Sequence, residues 1–224
     1  MELIASGRDA DVYAYAEGLV LRRYRDGRPA GEEAELMRWL RGLGYPVPEV
    51  HRTAGPDLVM ERVEGPTLAA AMTAGDLSAA DGGRLLAGLH DRLHALEYAG
   101  GLPLIHLDLH PLNVILAEDG PVVLDWSNAR PGEPGLDVAL TVLILEQLLV
   151  TPGMLPSDPA LETALRASLD DFLRAFAAAV GTPYVDHLEA AEEFRRRDPY
   201  QTGDELDRLD DARRRAEQLA VAHD

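Results

Sequence analysis

The chain has 224 residues, a formal net charge of −18, 46% hydrophobic and 27% charged residues, the balance of an ordinary globular protein. Cysteine is absent, which excludes disulfides and thiolate metal sites, and all 21 basic side chains are arginine, with no lysine anywhere. So acidic a chain would repel the phosphates of a nucleic-acid partner; it suits a solvated acidic surface and is compatible with a cationic substrate.

In chain order, the opening MELIASGRDADVYAY lacks the basic-then-apolar pattern of a secretory signal. Up to about residue 63 the chain alternates and turns like a small antiparallel sheet with one helix. Strands are expected at Glu2–Ser6, Asp11–Ala16, Leu19–Tyr24, Glu49–Thr53 and Asp57–Val63, separated by glycine-containing turns. Between the third and fourth lies a helix over Pro29–Leu43. Pro29 suits its start, Gly44 its end, and Tyr45-Pro46-Val47-Pro48 cannot continue it.

After Glu64-Gly65-Pro66 the pattern turns mostly helical. A capping box from Ser78 to Asp81 opens an amphipathic helix with Leu85, Leu86, Leu89, Leu93 and Leu96 on one side. Strand-like Asn113–Ala117 and Pro121–Leu124 flank Glu118-Asp119-Gly120, a hairpin signal. Helices resume at Asp137, where the apolar stretch Val138 to Val150 is broken by Glu146 and Gln147 and is too short to span a bilayer. Further helices are expected over Leu161–Val180, Tyr184–Arg196 and Asp204–Ala222. A soluble, cytoplasmic protein with no membrane partner is the expectation.

The residues able to do chemistry flank the hairpin. Before it stands His106-Leu107-Asp108-Leu109-His110-Pro111-Leu112-Asn113, and directly after it Asp125-Trp126. Phosphoryl transfer from a nucleoside triphosphate needs a carboxylate to orient the attacking hydroxyl and accept its proton. It also needs oxygen ligands for magnesium and a cation to neutralise developing charge. H-x-D-L-x-x-x-N followed by a later Asp is the kinase pattern for these roles, and the hairpin would return Asp125 beside the loop carrying Asp108 and Asn113.

The loop HLDLHPLNVIL and the strand VVLDW resemble the aminoglycoside phosphotransferase and choline-kinase-like group. The resemblance covers the chain to about Val150 and implies a two-lobed protein-kinase-like α+β fold. A small antiparallel-sheet lobe over 1–63 would bind nucleotide, with a hinge at about 60–65. A mostly helical lobe over 64–224 would hold the catalytic and acceptor-binding residues. Asp108 is then the catalytic base, with Asn113 and Asp125 as magnesium ligands. ATP or GTP would be the phosphate donor.

The kinase glycine loop aligns with Ala5-Ser6-Gly7-Arg8-Asp9-Ala10-Asp11-Val12, where only the central Gly7 survives and Asp9 and Asp11 fit only if they point outward. Arg22 falls where kinases carry their phosphate-binding lysine, and an arginine can grip phosphate oxygens bidentately. Its partner is assigned to Glu33, which shares the helical stripe of Leu36, Met37 and Leu40, with Glu32 as substitute. Met60, Glu61 and Val63 form the expected hinge, binding the base through backbone groups. His106 is read as bracing the loop, and Asp137 as a helix N-cap, a brace for the loop, or both. His90 and His94 have a metal-compatible spacing but no evident third ligand, and are read as packing. The carboxylates of Asp204–Asp211 read as a solvated helix face or the rim of a cleft for cations.

The function these readings imply is transfer of a γ-phosphate to a hydroxyl of a small molecule, aminoglycoside-like or otherwise aminated. The alternative is a catalytically silent nucleotide-binding regulator. An eroded glycine loop and missing lysine favour the alternative; Asp108, Asn113 and Asp125 oppose it.

Overall fold

Five short strands form in the first unit of the structure, a computed structural model that describes residues 1–7 and 9–221. They are β1 (Leu3–Ser6), β2 (Ala10–Ala16), β3 (Leu19–Tyr24), β4 (Val50–Ala54) and β5 (Asp57–Glu61), all antiparallel, in the order β1-β2-β3-β5-β4. Helix α1 (Gly31–Gly42) joins β3 to β4 and buries Glu33, Ala34, Leu36, Met37 and Leu40, as the stripe requires. It begins two residues later than Pro29, with Ala30 as its N-cap, whose N–H donates to the Gly55 carbonyl. Gly44, with φ 77°, ends it in the left-handed conformation, its N–H returning to Arg41 O.

Strand β5 stops at Glu61 rather than Val63, and the Arg62 N–H still donates to the carbonyl of Gly18, the next position of the β3–β5 register, at 2.8 Å. The hairpin pairs Val114–Ala117 with Gly120–Val123, so its tight loop is Glu118-Asp119 and Gly120 already faces Ala117. It belongs to the first unit. The Leu116 N–H donates to Pro66 O at 2.9 Å and the Val123 N–H to Pro46 O at 2.8 Å. A side chain on Gly65, at φ 139°, would collide with the Leu116 carbonyl.

The chain therefore sorts into residues 1–67 with 113–127 and, as a second unit, residues 68–112 with 128 onward. This differs from a single break at 63–64. The backbone bonds just described carry the hairpin to the sheet-bearing unit, which no periodicity in the sequence discloses.

The second unit is helical: α2 (Leu68–Ala74), α3 (Ala79–His94), α4 (Pro134–Val150), α5 (Pro159–Ala179), α6 (Leu188–Arg196), α7 (Gly203–Asp207) and α8 (Leu209–Val221). Ser78 caps α3, accepting from the Asp81 N–H at 3.1 Å. Helix α4 is apolar on nearly every side and buried, and its two polar interruptions are answered. Glu146 takes Arg215 at 2.5 Å and Gln147 takes Arg195 at 2.9 Å. Leu104–Ile105 pairs with Arg130–Pro131, a small ribbon framing the segment that follows Ile105.

Helix α2 and that ribbon were not legible in the pattern. The single helix expected over Asp204–Ala222 is two, broken at Arg208 after a Thr202–Glu205 capping box, and its expected end Ala222 lies outside the described residues. Helix α6 starts at Leu188 rather than Tyr184, a 3-10 turn over Val185–His187 preceding it. Among the described residues no helix is long and apolar enough to cross a membrane.

Candidate active site

In the first unit, strand alternation puts Arg22 and Tyr24 on one face, and the α1 stripe brings Glu33 to meet them. Arg22 Nη1 donates to Glu33 Oε1 at 2.5 Å and Nη2 to Asp125 Oδ1 at 2.6 Å. Arg22 and Glu33 are buried, while the Asp125 side chain is 38% exposed. Glu33 is a common acceptor. Besides Arg22, it takes the Tyr24 hydroxyl and, at 3.2 Å, the Trp126 N–H. Burial pushes the Glu33 carboxyl above its ordinary range, against the pull of Arg22. Burial would lower the Arg22 guanidinium, but Asp125 and Glu33 raise it further than burial depresses it. Two guanidinium groups lie over the Tyr24 ring, Arg28 at 4.1 Å and Arg22 at 5.1 Å from its centroid.

Asp125 follows the hairpin in the left-handed region, at φ 61°, a conformation a non-glycine residue holds only where its surroundings fix it. Those surroundings are Arg22 and Ser127, whose hydroxyl donates to Asp125 Oδ1 at 2.9 Å. Trp126 is buried, its indole N–H donating to Val123 O at 3.0 Å and its ring edge-on to Tyr45 at 5.5 Å. The Leu124 N–H donates to the Asn113 carbonyl at 2.8 Å, so the backbones bearing Asn113 and Asp125 are neighbours. Both offer oxygen donors, a carboxamide and a carboxylate, which is the chemistry a hard divalent cation takes.

Gly7 lies in the turn between β1 and β2, its N–H donating to Ala10 O at 2.9 Å. The acidic neighbours are neutralised rather than loose: Arg28 pairs with Asp9 at 2.8 Å and Arg25 with Asp11 at 2.5 Å. Arg8 lies outside the described residues. At the expected hinge, Met60 sits in the β3–β5 ladder opposite Val20, and the Glu61 N–H is engaged by Glu49 O at 2.8 Å. Among the described residues no backbone bond is found for Val63, leaving its amide and carbonyl open to a ligand. A cavity of about 450 Å³ lies beside the expected hinge residues, lined by Tyr45, Val47, Glu61, Val63 and the hairpin, but by none of Gly7, Arg22, Glu33 or Asp125.

In the second unit the segment from His106 to Leu109 is tied down at every step. His106 is buried, and its Nδ1 accepts the Asp108 N–H at 3.2 Å. Leu107 holds φ 67°, and its N–H donates to Asp137 Oδ1 at 2.6 Å, while the His106 N–H donates to Oδ2 at 3.0 Å. Asp137 is therefore no N-cap. It stands in the first turn of α4, whose N-cap is Glu133, and braces the loop. The Asp108 side chain is 31% exposed, with His110 Nε2 3.5 Å from its Oδ1.

The pair His90 and His94 does have a third partner. His94 Nε2 lies 2.9 Å and His90 Nδ1 3.5 Å from Asp137 Oδ2, and the three form a group whose ligand atoms lie within 4.8 Å of one another. Burial alone would raise the Asp137 carboxyl; the two facing imidazoles outweigh it and hold it well below the usual range. Sequence reasoning missed Tyr24, the Trp126 amide and Thr141, whose hydroxyl donates to Leu109 O at 2.7 Å. Two signals were available: Tyr24 is two residues from Arg22 on a strand, and Thr141 four from Asp137 on a helix.

The sequence profile of the phosphotransferase enzyme family matches residues 1–104 and 99–151. The probable serine/threonine-protein kinase PkwA of Thermomonospora curvata is 39% identical over 77 residues, covering 34% of this chain and 10% of that protein. This chain thus spans about a tenth of that relative's length. Among solved structures, ADP-bound aminoglycoside phosphotransferase APH(2'')-Ib superposes with a TM-score of 0.57 at 14% identity over 98% of this chain and 93% of that one. The streptomycin–ATP–APH(2")-IIa ternary complex gives 0.58 at 14% identity, over 98% and 92%. Amicoumacin kinase hAmiN with AMP-PNP, Ca2+ and Ami gives 0.53 at 13%, over 96% and 87%. At such identities the likeness speaks to the fold, a kinase-like α+β architecture with a small antiparallel sheet and a helical remainder.

Proposed function

Because this chain belongs to the phosphotransferase enzyme family, we propose that it transfers the γ-phosphate of ATP or GTP to a hydroxyl of an aminated small molecule, an aminoglycoside-like sugar being one such class. The observation that carries this reading is the Arg22–Glu33–Asp125 cluster, in which a buried guanidinium, held by one carboxylate, reaches a second, half-exposed carboxylate. Arg22 neutralises donor phosphates. Asp108 accepts the proton of the attacking hydroxyl. Val63 offers its free backbone groups to the base, and the Gly7 turn allows close approach to phosphate oxygens.

Asn113 and Asp125 would hold magnesium, which would supply positive charge to offset that of the donor phosphates. Aminated acceptors fit the net charge of −18. The test is a screen of aminated metabolites and antibiotics for acceptor-dependent nucleotide consumption, with Asp108→Asn as control. Consumption that depends on an acceptor and on Asp108 supports the reading; none across the screen refutes it.

One observation favours the alternative, a nucleotide-binding protein without turnover: Arg22 already holds Asp125 at 2.6 Å. Nucleotide binding with no hydrolysis and no transfer would decide for it.

A further inference from the structure

We propose that His90 and Thr141 are positioning residues for the segment bearing Asp108, a role that rests on the reading of Asp108 as proton acceptor. Asp137 and Thr141, one turn apart on α4, bracket Asp108. Asp137 takes the N–H groups of His106 and Leu107 just before it, and Thr141 gives its hydroxyl hydrogen to the Leu109 carbonyl just after it, at 2.7 Å. Leu107, at φ 67°, is thereby held in a conformation that costs free energy when nothing enforces it.

The direction of each hydrogen bond follows from counting hydrogens. A threonine hydroxyl has one, and Leu109 takes it. Only lone pairs then remain to face His90 Nε2, 3.0 Å away, so that nitrogen carries a hydrogen and donates. His90 is 0% and Thr141 1% exposed, so no water substitutes for either partner. The His90 ring cannot swing aside, being edge-on to Phe176 at 5.5 Å and tilted against His94 at 5.3 Å. A buried threonine in a helix commonly bonds back to its own preceding turn; Thr141 instead reaches another segment, and His90 fixes which way it points.

A metal held by His90, His94 and Asp137 accounts for less. It would displace the His94 hydrogen that Asp137 Oδ2 accepts, and nothing in the group supplies a fourth ligand. Positioning keeps the His90–Thr141, Thr141–Leu109 and His94–Asp137 hydrogen bonds as they stand.

The test compares Thr141→Val, which removes the hydroxyl at nearly constant volume, with Thr141→Ser, which keeps it, and His90→Leu, all in the full chain. The first readout is amide hydrogen exchange of the peptide spanning 104–112; the second is kcat against KM. Thr141→Val should speed exchange of the His106–Leu109 amides about tenfold, the usual worth of one buried hydrogen bond. It should lower kcat by a similar factor while leaving the nucleotide KM unchanged. Thr141→Ser should restore both, and His90→Leu should add little on top of Thr141→Val, because one chain of bonds is lost in either case. Unchanged exchange in Thr141→Val, failure of Thr141→Ser to restore it, or additive effects with His90→Leu would overturn the proposal. If Thr141→Val does not fold, His90→Leu against wild type carries the same comparison. Absence of turnover in the wild-type chain would refute the phosphotransfer reading and leave the exchange comparison to judge the positioning role by itself.

Discussion

Replacing Arg22 by alanine should destabilise the first unit and cripple nucleotide binding together. The guanidinium is 7% exposed and the Glu33 side chain 5%, so the pair cannot fall back on solvent when one partner goes. Breaking a buried pair of this kind costs about 3–5 kcal/mol, a large part of the ~5–15 kcal/mol that holds a typical domain folded. Glu33→Ala should fall in the same range, since it removes the acceptor of Arg22 Nη1, the Tyr24 hydroxyl and the Trp126 N–H at once. The double variant should cost less than the sum, by about 0.5–3 kcal/mol.

The loss in Arg22→Ala should also depend on pH. Burial already raises the Glu33 carboxyl in the folded state, and without Arg22 that rise grows. A carboxyl whose folded value lies above its unfolded one takes up a proton on folding, so stability falls as pH rises through the folded value. The Arg22→Ala deficit should therefore be smaller near pH 5 than at pH 8. Arg22→Lys keeps the charge but not the fork, and should retain measurable activity while losing about 1.5–3 kcal/mol, the worth of one hydrogen bond to a charged group. Urea unfolding and nucleotide titration on the four members of the cycle supply the numbers. Strictly additive costs, or a deficit that grows toward acid, would refute the reasoning.

Asp108→Asn should lower acceptor-dependent turnover about 10²–10⁴-fold, the contribution of a positioned base, with little change in nucleotide affinity; near-normal turnover with a true acceptor would unseat Asp108. Asp125→Ala should abolish most of the magnesium dependence of nucleotide binding and Asn113→Ala should weaken it less; identical metal dependence in wild type and Asp125→Ala would contradict the ligand assignment. Asp137→Asn leaves a buried donor of the loop without its acceptor, at about 1–3 kcal/mol. Since the Asp137 carboxyl is held below the usual range, its contribution is present above about pH 4 and lost only as pH falls through the lower folded value. The Tm gap between Asp137→Asn and wild type should thus persist down to about pH 4, and closure of the gap between pH 6 and pH 5 would contradict it.

What could be read from the sequence was whatever rested on local periodicity. Strand Leu19–Tyr24 appears with the bounds its alternation implies, and Glu33 meets Arg22 because a helical stripe and a strand face are both short-range patterns. The hairpin that makes the backbones of Asn113 and Asp125 neighbours was equally local. The rest depends on partners far apart in the chain or on backbone atoms, which no side-chain pattern reports. Trp126 contributes its main-chain N–H to Glu33, 93 residues away, and Thr141 bonds the carbonyl of Leu109, 32 residues away. The spacing of His90 and His94 was visible, but Asp137, which explains it, lies 43 residues beyond His94.

The absence of lysine looks, on sequence alone, like erosion of a phosphate site. The geometry at Arg22 argues otherwise. Two separate nitrogens of one guanidinium reach two separate carboxylates, Glu33 at 2.5 Å and Asp125 at 2.6 Å. A single ammonium nitrogen could do this only if both carboxylate oxygens closed in on one point, bringing two like charges together in a buried place. Glu33 meanwhile binds β3 through Arg22 and Tyr24 and the segment after the hairpin through the Trp126 amide. A shift of α1 would thus move the proposed phosphate grip and the backbone next to the proposed metal ligand together. Arginine, with its planar fork, is the side chain that makes those two sites a single electrostatic unit.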